Sequence, residues 1–215
     1  MFSVIFDMDG TLLDTQRICI PAWEYAGNLQ GFKGAGEALT KICGMNEAGW
    51  SKFLEDTFKG IDIVSFKKEM REYIIKNGVV KYKEGAPELL EFLKKNNIKM
   101  AIASGSSKES IKHHLKEVGA EKYFSVLGGG KDVENGKPAP DIFLKAAALL
   151  GEEPRNCIVF EDSENGVLAA AAAGMRVFGV PDTVEFSDKV KALMVKCIDS
   201  LKDAEAYLKG YLEEK

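Results

Sequence analysis

The chain has 215 residues and a formal charge of −4, from 33 acidic against 29 basic side chains. That length supplies one sizeable core, or a core with an inserted block, and the mild acidity without a basic stripe argues against nucleic acid as a partner. No stretch approaches the roughly twenty apolar residues that span a bilayer. No basic segment leads into a long apolar one at the N-terminus, so neither membrane insertion nor a signal peptide is expected.

The first element is Val4-Ile5-Phe6, a short apolar run with the character of a buried β-strand. It runs into Asp7-Met8-Asp9-Gly10-Thr11-Leu12-Leu13. Strand side chains alternate, so Asp7 and Asp9 are expected to point the same way. Two carboxylates converging there repel unless a cation or reaction chemistry compensates them. A plain turn is the bland alternative, because Asp and Gly also serve turns. Residues 15–79 then show the apolar spacing of four helices, at 17–29, 34–42, 47–58 and 65–77, with no strand among them. A helical block inserted after the first strand predicts a second unit at 15–79, set into a core of 1–14 and 80–215. Its linkers fall near 14–17 and 78–84.

From about residue 80, strand alternates with helix, which predicts an α/β fold with a mostly parallel sheet covered on both faces. The apolar runs lie at 99–103, 124–127, 157–160 and 177–180, and the helical patterns at 87–95, 108–118, 141–150 and 166–173. Ser106-Ser107-Lys108-Glu109 has the Ser-x-x-Glu spacing of a capping box. Pro140 suits a first helical turn, and Gly174 suits the close of the alanine-rich helix. Gly128-Gly129-Gly130-Lys131 matches neither dinucleotide nor P-loop patterns and is read as a flexible turn. Cys19, Cys43, Cys157 and Cys197 form no CxxC pair and are expected as reduced thiols of a cytoplasmic protein. His113 and His114, the only histidines, are expected to face different directions on a helix surface.

Three further spots lie at or beyond strand ends. Ser104-Gly105-Ser106 offers a hydroxyl and free N–H groups before a helix, which suits an anionic oxygen, although serine also caps helices. Lys137 sits in Gly136-Lys137-Pro138-Ala139-Pro140, where prolines restrict the backbone and could hold the ammonium near the sheet edge. Glu161-Asp162-Ser163 is a second acidic pair leaving a buried strand. Oxygen ligands from Asp7 and this pair could form a Mg²⁺ site completed by waters, while a polar helix cap is the simpler reading of Asp162. Ligands of open α/β sheets bind beyond the carboxyl ends of the strands, where all four spots fall. Together they hold a nucleophile, an acid/base, an anion pocket, a cation and a metal site, the inventory of phosphoryl transfer.

DMDGTLLDT at 7–15, SGSS at 104–107, GKPAPDIF at 136–143 and FEDSENG at 160–166 resemble, in order and spacing, the haloacid dehalogenase superfamily and its β-phosphoglucomutase-like phosphatases. The resemblance covers essentially the whole chain and implies a Rossmann-like core with an all-helical cap. It implies Asp7 as the nucleophile forming an aspartyl-phosphate, and Asp9 as the acid that protonates the leaving oxygen and then the base for water. Ser104 and Gly105 would bind phosphate, Lys137 would neutralise phosphate and Asp7, and Thr11 would support the site by hydrogen bonding. Mg²⁺ would be held by Asp7, the Asp9 carbonyl and Asp162, with Glu161 helping. The substrate implied is a small phosphorylated metabolite, such as a sugar phosphate, and the default state is a monomer.

Asp9 favours phosphate esters over dehalogenation, whose enzymes generally lack Asp there. Lys41 and Lys52 fall in the helical block, but nothing marks either as the desolvated Schiff-base lysine of phosphonatases. A phosphosugar mutase on the same scaffold is the alternative. Where mutases carry an arginine for a second phosphate, Gly44-Met45-Asn46-Glu47 presents an acid, which would repel a bisphosphate. Lys41 or Lys52 could substitute for that arginine, and Lys108 resembles a basic residue near the mutase active site. The reading from another class is a catalytically silent phosphate-binding module, which would have no need of Asp9.

Overall fold

The computed structural model describes residues 2–213. β1 (Ser3–Phe6) is followed by four helices, α1 (Gln16–Leu29), α2 (Ala35–Ile42), α3 (Glu47–Thr57) and α4 (Ile63–Asn77). The chain then alternates through α5 (Ala86–Lys95), β2 (Met100–Ala103), α6 (Lys108–Glu117), β3 (Val126–Gly128), α7 (Asp141–Leu150) and β4 (Cys157–Glu161). It ends with α8 (Glu164–Ala172), β5 (Arg176–Gly179), α9 (Asp188–Lys191), β6 (Lys196–Cys197) and α10 (Ala204–Glu213). Among the described residues no helix is long and apolar enough to cross a membrane.

The six strands form one parallel sheet in the order β3-β2-β1-β4-β5-β6. From β1 the chain steps outward through β2 and β3, then crosses to β4 on the other side of β1. That reversal leaves a crevice beyond the carboxyl ends of the central strands. Phe6 pairs with Ile102 on one side and Phe160 on the other, so the strand ends that lead to Asp7, Ser104 and Glu161 emerge together.

Strand alternation divides the core between two faces. Val4 and Phe6 pack with Leu89, Leu90 and Leu93 of α5, Ile111 and Leu115 of α6, and Leu208 of α10. Ile5 packs on the other face with Phe143 and Ala146 of α7 and Val167 and Ala170 of α8. Phe6, Phe160 and Phe178 stack across three strands, with centroids 5.3 and 5.4 Å apart. Each such buried ring contributes about 1.5–3 kcal/mol of burial free energy.

The helices α1–α4 have an apolar cluster of their own, built on Trp23, Ala35, Ala38, Leu54 and Phe66. Trp23 meets Phe66 edge to face at 5.3 Å. The chains entering and leaving this block run side by side, with Asp14 N–H donating to Lys81 O and Lys83 N–H to Leu12 O.

The structure departs from the sequence reading in several places. The residue capping α6 is Ser107, which accepts from Ser110 N–H at 3.2 Å, not Ser106. The Ser106 hydroxyl is drawn instead to the Asp9 carboxylate, a charge-assisted bond. The glycine-rich run is a packed corner, not a loose turn. A side chain at Gly130 would fall 2.3 Å from Gly105 O, and one at Gly129 would fall 2.9 Å from Lys108 N. β6, α9 and α10 carried no signal strong enough to read. His113 and His114 both lie beside Glu117, at 3.7 and 3.3 Å, because spacings of three and four residues share a helix face.

Candidate active site

Asp7 leaves β1 with its N–H still paired to Phe160 O at 3.0 Å, and Ser104 leaves β2 with its N–H on Gly128 O at 3.0 Å. Both side chains are thereby fixed by the sheet itself. Lys137 arrives on the loop between β3 and α7 and is only 4% exposed. Its Nζ lies 2.6 Å from Asp7 Oδ1 and 2.5 Å from Glu161 Oε1, and 4.8 Å above the Phe143 ring. A buried ammonium costs several kcal/mol unless it is paired, and here two carboxylates pair it. Burial opposes the charge on Lys137, but Asp7 and Glu161 outweigh it and hold the lysine above its ordinary pKa. The other Glu161 oxygen accepts from the Ser163 N–H and hydroxyl, each at 2.9 Å.

Asp162 is gripped at both oxygens: Thr11 donates to Oδ1 and Gln16 Nε2 to Oδ2, each at 2.8 Å. Gln16 is itself oriented, because its Oε1 accepts from Thr183 at 2.7 Å and from the Cys43 thiol at 3.6 Å. Gly10, at φ +95°, passes so close that a side chain there would fall 2.3 Å from Asp162 Oδ2. Only glycine permits both that φ and that approach.

Asp9 meets a different set of partners. Thr15 donates to Oδ1 at 2.9 Å, while Ser104 and Ser106 donate to Oδ2 at 3.1 and 2.8 Å. Alternation does not carry past Phe6, where the strand ends, so Asp7 turns to Lys137 and Asp9 to the serines. The backbone N–H groups of Met8, Asp9 and Gly105 find no acceptor among the described residues. Free backbone N–H groups at the end of a sheet are donors that a phosphate can use.

Asp7, Glu161 and Asp162 are all buried, with one lysine among them. Burial pushes the Asp7 carboxyl up to about 8 despite the opposing pull of Lys137, and the Glu161 and Asp9 charges push the same way. Burial, then the charges of Glu161 and Asp7, raise Asp162 well above the carboxylate range. The site is short of positive charge and rich in hard oxygen donors, which fits a divalent cation such as Mg²⁺. Asp7 and Asp162 suit that ion, and Asp7 Oδ2 accepts no hydrogen bond among the described residues. Glu161, expected to assist the metal, spends its oxygens on Lys137 and Ser163.

The structure thus brings Asp7, Asp9, Thr11, Ser104, Gly105, Lys137, Glu161 and Asp162 to one end of the sheet. The helical block closes on this end through the α2–α3 loop. A side chain at Gly44 would lie 2.6 Å from Ser163 Oγ, and one at Gly105 would lie 2.5 Å from Met45 O. Of the lysines weighed for the mutase alternative, Lys52 is exposed near Asp56 and Lys108 is paired with Asp132 at 2.9 Å. Lys41 lines a cavity on the Asp162 side. Sequence reasoning missed Thr15, Gln16 and Ser106. Thr15 and Gln16 fall in a segment that reads as linker, and Ser106, though part of the Ser104-Gly105-Ser106 anion spot, reads as a helix cap and not as a partner of Asp9.

The haloacid dehalogenase-like hydrolase family model matches residues 3–174. A phosphorylated carbohydrates phosphatase of Thermotoga maritima is 35% identical over 184 residues, covering 84% of this chain and 85% of that protein. A fructose-1-phosphate phosphatase of Escherichia coli is 31% identical, covering 80% of this chain and 93% of that one. The crystal structure of a β-phosphoglucomutase from Clostridium difficile superposes with a TM-score of 0.80 at 26% identity, covering 100% of this chain and 98% of that chain. The chain belongs to the haloacid dehalogenase-like hydrolases.

Proposed function

We propose that the protein is a Mg²⁺-dependent phosphatase of small phosphate monoesters, sugar phosphates foremost, working through an aspartyl-phosphate on Asp7. The observation that carries this reading is the posture of Asp7. Oδ1 is fixed by Lys137, Oδ2 accepts nothing from the protein among the described residues, and Asp9 stands beside it on a separate set of donors. Asp7 would attack phosphorus as the ester oxygen departs, and Asp9, as the acid, would give that oxygen its proton. Asp9, now a carboxylate, would take a proton from water. The water oxygen would bond to phosphorus, releasing inorganic phosphate and restoring Asp7. Mg²⁺ held by Asp7, the Asp9 carbonyl and Asp162 would keep both carboxyls ionised and offset charge on the phosphoryl oxygens. The free N–H groups of Met8, Asp9 and Gly105 would hold the phosphate, with Ser104 positioning Asp9. Helices α1–α4 would serve as a lid that excludes water. The relatives named for phosphorylated carbohydrates and fructose 1-phosphate support a sugar ester.

The test is phosphate release from p-nitrophenyl phosphate, glycerol phosphate and hexose 1- and 6-phosphates, in Mg²⁺ or in EDTA. Release that EDTA stops is the expected outcome. Conversion of hexose 1-phosphate to 6-phosphate without net release would replace this reading by a mutase, and inertness toward every ester would overturn it.

A further inference from the structure

Resting on the phosphatase reading, we infer that Glu47 is a specificity-determining residue that restricts the enzyme to monophosphates with an uncharged, hydroxyl-bearing alcohol part. A cavity of about 370 Å³ opens between the helical block and the core beside Gly105, on the side where a leaving group would extend from a phosphate held there. Asn46, Glu47, Ser51 and Lys67 line it from the block, and Ser107, Lys131 and Glu134 are among its core residues. Its ionic residues are two acids, Glu47 and Glu134, and two lysines, Lys67 and Lys131, so it presents no net charge.

That balance rests on one contact. Lys67 Nζ lies 2.8 Å from Glu47 Oε1 and 5.0 Å from the centre of the Trp50 ring. The hydrogen bond from Lys67 holds Glu47 below its ordinary value; burial opposes it, and the charges of Lys67, Lys131 and Arg71 add to the lowering. Glu47 is therefore ionised at neutral pH and cancels cations that would otherwise face the cavity. A second phosphate or a carboxylate on the substrate would have to displace Glu47 from Lys67 and meet its charge, a penalty that an uncharged alcohol escapes. The wall also offers partners for hydroxyl groups. Ser51 lines the cavity, and its enclosed hydroxyl has no hydrogen-bond partner among the described residues, so that a side-chain rotation would offer it to a bound hydroxyl. Asn46 accepts from Gly49 N–H through Oδ1, which leaves its amide N–H₂ against Gly136, without an acceptor among the described residues.

The experiment compares kcat/KM for hexose 6-phosphate and hexose 1,6-bisphosphate in wild type, Glu47→Gln and Lys67→Met, with p-nitrophenyl phosphate as the reference ester. Wild type is expected to prefer the monophosphate. Glu47→Gln should raise kcat/KM for the bisphosphate about tenfold through KM, and this gain should shrink in 0.5 M salt, roughly where screening removes such effects. Lys67→Met, which leaves Glu47 unneutralised, should deepen the preference for monophosphate and serves if Glu47→Gln fails to fold. Discrimination unchanged in both variants, or a gain insensitive to salt, would overturn the inference while p-nitrophenyl phosphate turnover leaves the phosphatase reading standing. Absence of turnover on every ester in wild type would overturn both.

Discussion

Around Asp7 the partners are charged and enclosed: an ammonium at 2.6 Å, with the Glu161 carboxylate on that ammonium's other side. Around Asp9, its next-but-one neighbour in the chain, they are three hydroxyls, from Thr15, Ser104 and Ser106. A hydroxyl can donate to a carboxylate or accept from a carboxylic acid, so the Asp9 setting tolerates either protonation state. The Asp7 setting favours the ionised form at Oδ1, where the Lys137 ammonium can only donate. The same side chain, two positions apart in the chain, thus meets surroundings that suit the two roles proposed for it, attack at Asp7 and proton transfer at Asp9.

The strongest way to break the comparison is Asp7→Asn, which should cut phosphate release by more than about 10³-fold, since an amide is too weak a nucleophile to carry the proposed phosphoryl intermediate. Asp9→Asn should cost about 10²- to 10⁴-fold. Its cost should be larger on glycerol phosphate than on p-nitrophenyl phosphate, whose phenolate departs without a proton. Equal losses on the two esters would deny Asp9 its role as the acid.

Gln16→Ala sharpens the picture at Asp162. Loss of the donor that holds Oδ2 should weaken Mg²⁺ binding about 10- to 100-fold by calorimetry, with turnover largely restored at saturating Mg²⁺. Unchanged Mg²⁺ affinity would mean that Thr11 alone orients Asp162.

The smallest effect is on stability. Asp7 is raised from an ordinary 3.8 to about 8, so the folded chain holds a proton that the unfolded chain releases. Its contribution is complete below about pH 4 and is lost as pH rises through 8. In EDTA, Tm should therefore fall by about 5–10 °C between pH 6 and 8.5, and Asp7→Asn should flatten that slope. A slope unchanged in the variant would assign it to other groups.

Much of this architecture is legible in the sequence, because β1 and β4 are buried on both faces and read as apolar runs that stop abruptly at acids. The helices of the inserted block show through their periodicity for the same reason, one face being apolar. What stays hidden is short or relational. β6 has two residues and includes a lysine, so no run betrays it. Glu161 reads as a metal ligand because an acidic pair is ambiguous until Lys137 is seen on one of its oxygens. Gln16 is an uncharged residue in an apparent linker, and only its simultaneous contact with Asp162 and Thr183 marks it.

Thr15 and Gln16 are consecutive residues where the chain enters α1, and they bond Asp9 and Asp162 respectively. Swinging α1 away from the sheet would strip a donor from each carboxylate in the same stroke. On the phosphatase reading, both carboxylates would be fully supported only with the helices shut. Closing the helices would then complete the two carboxylates' hydrogen bonding as well as cover them, so that substrate enclosure and assembly of the site would be one event.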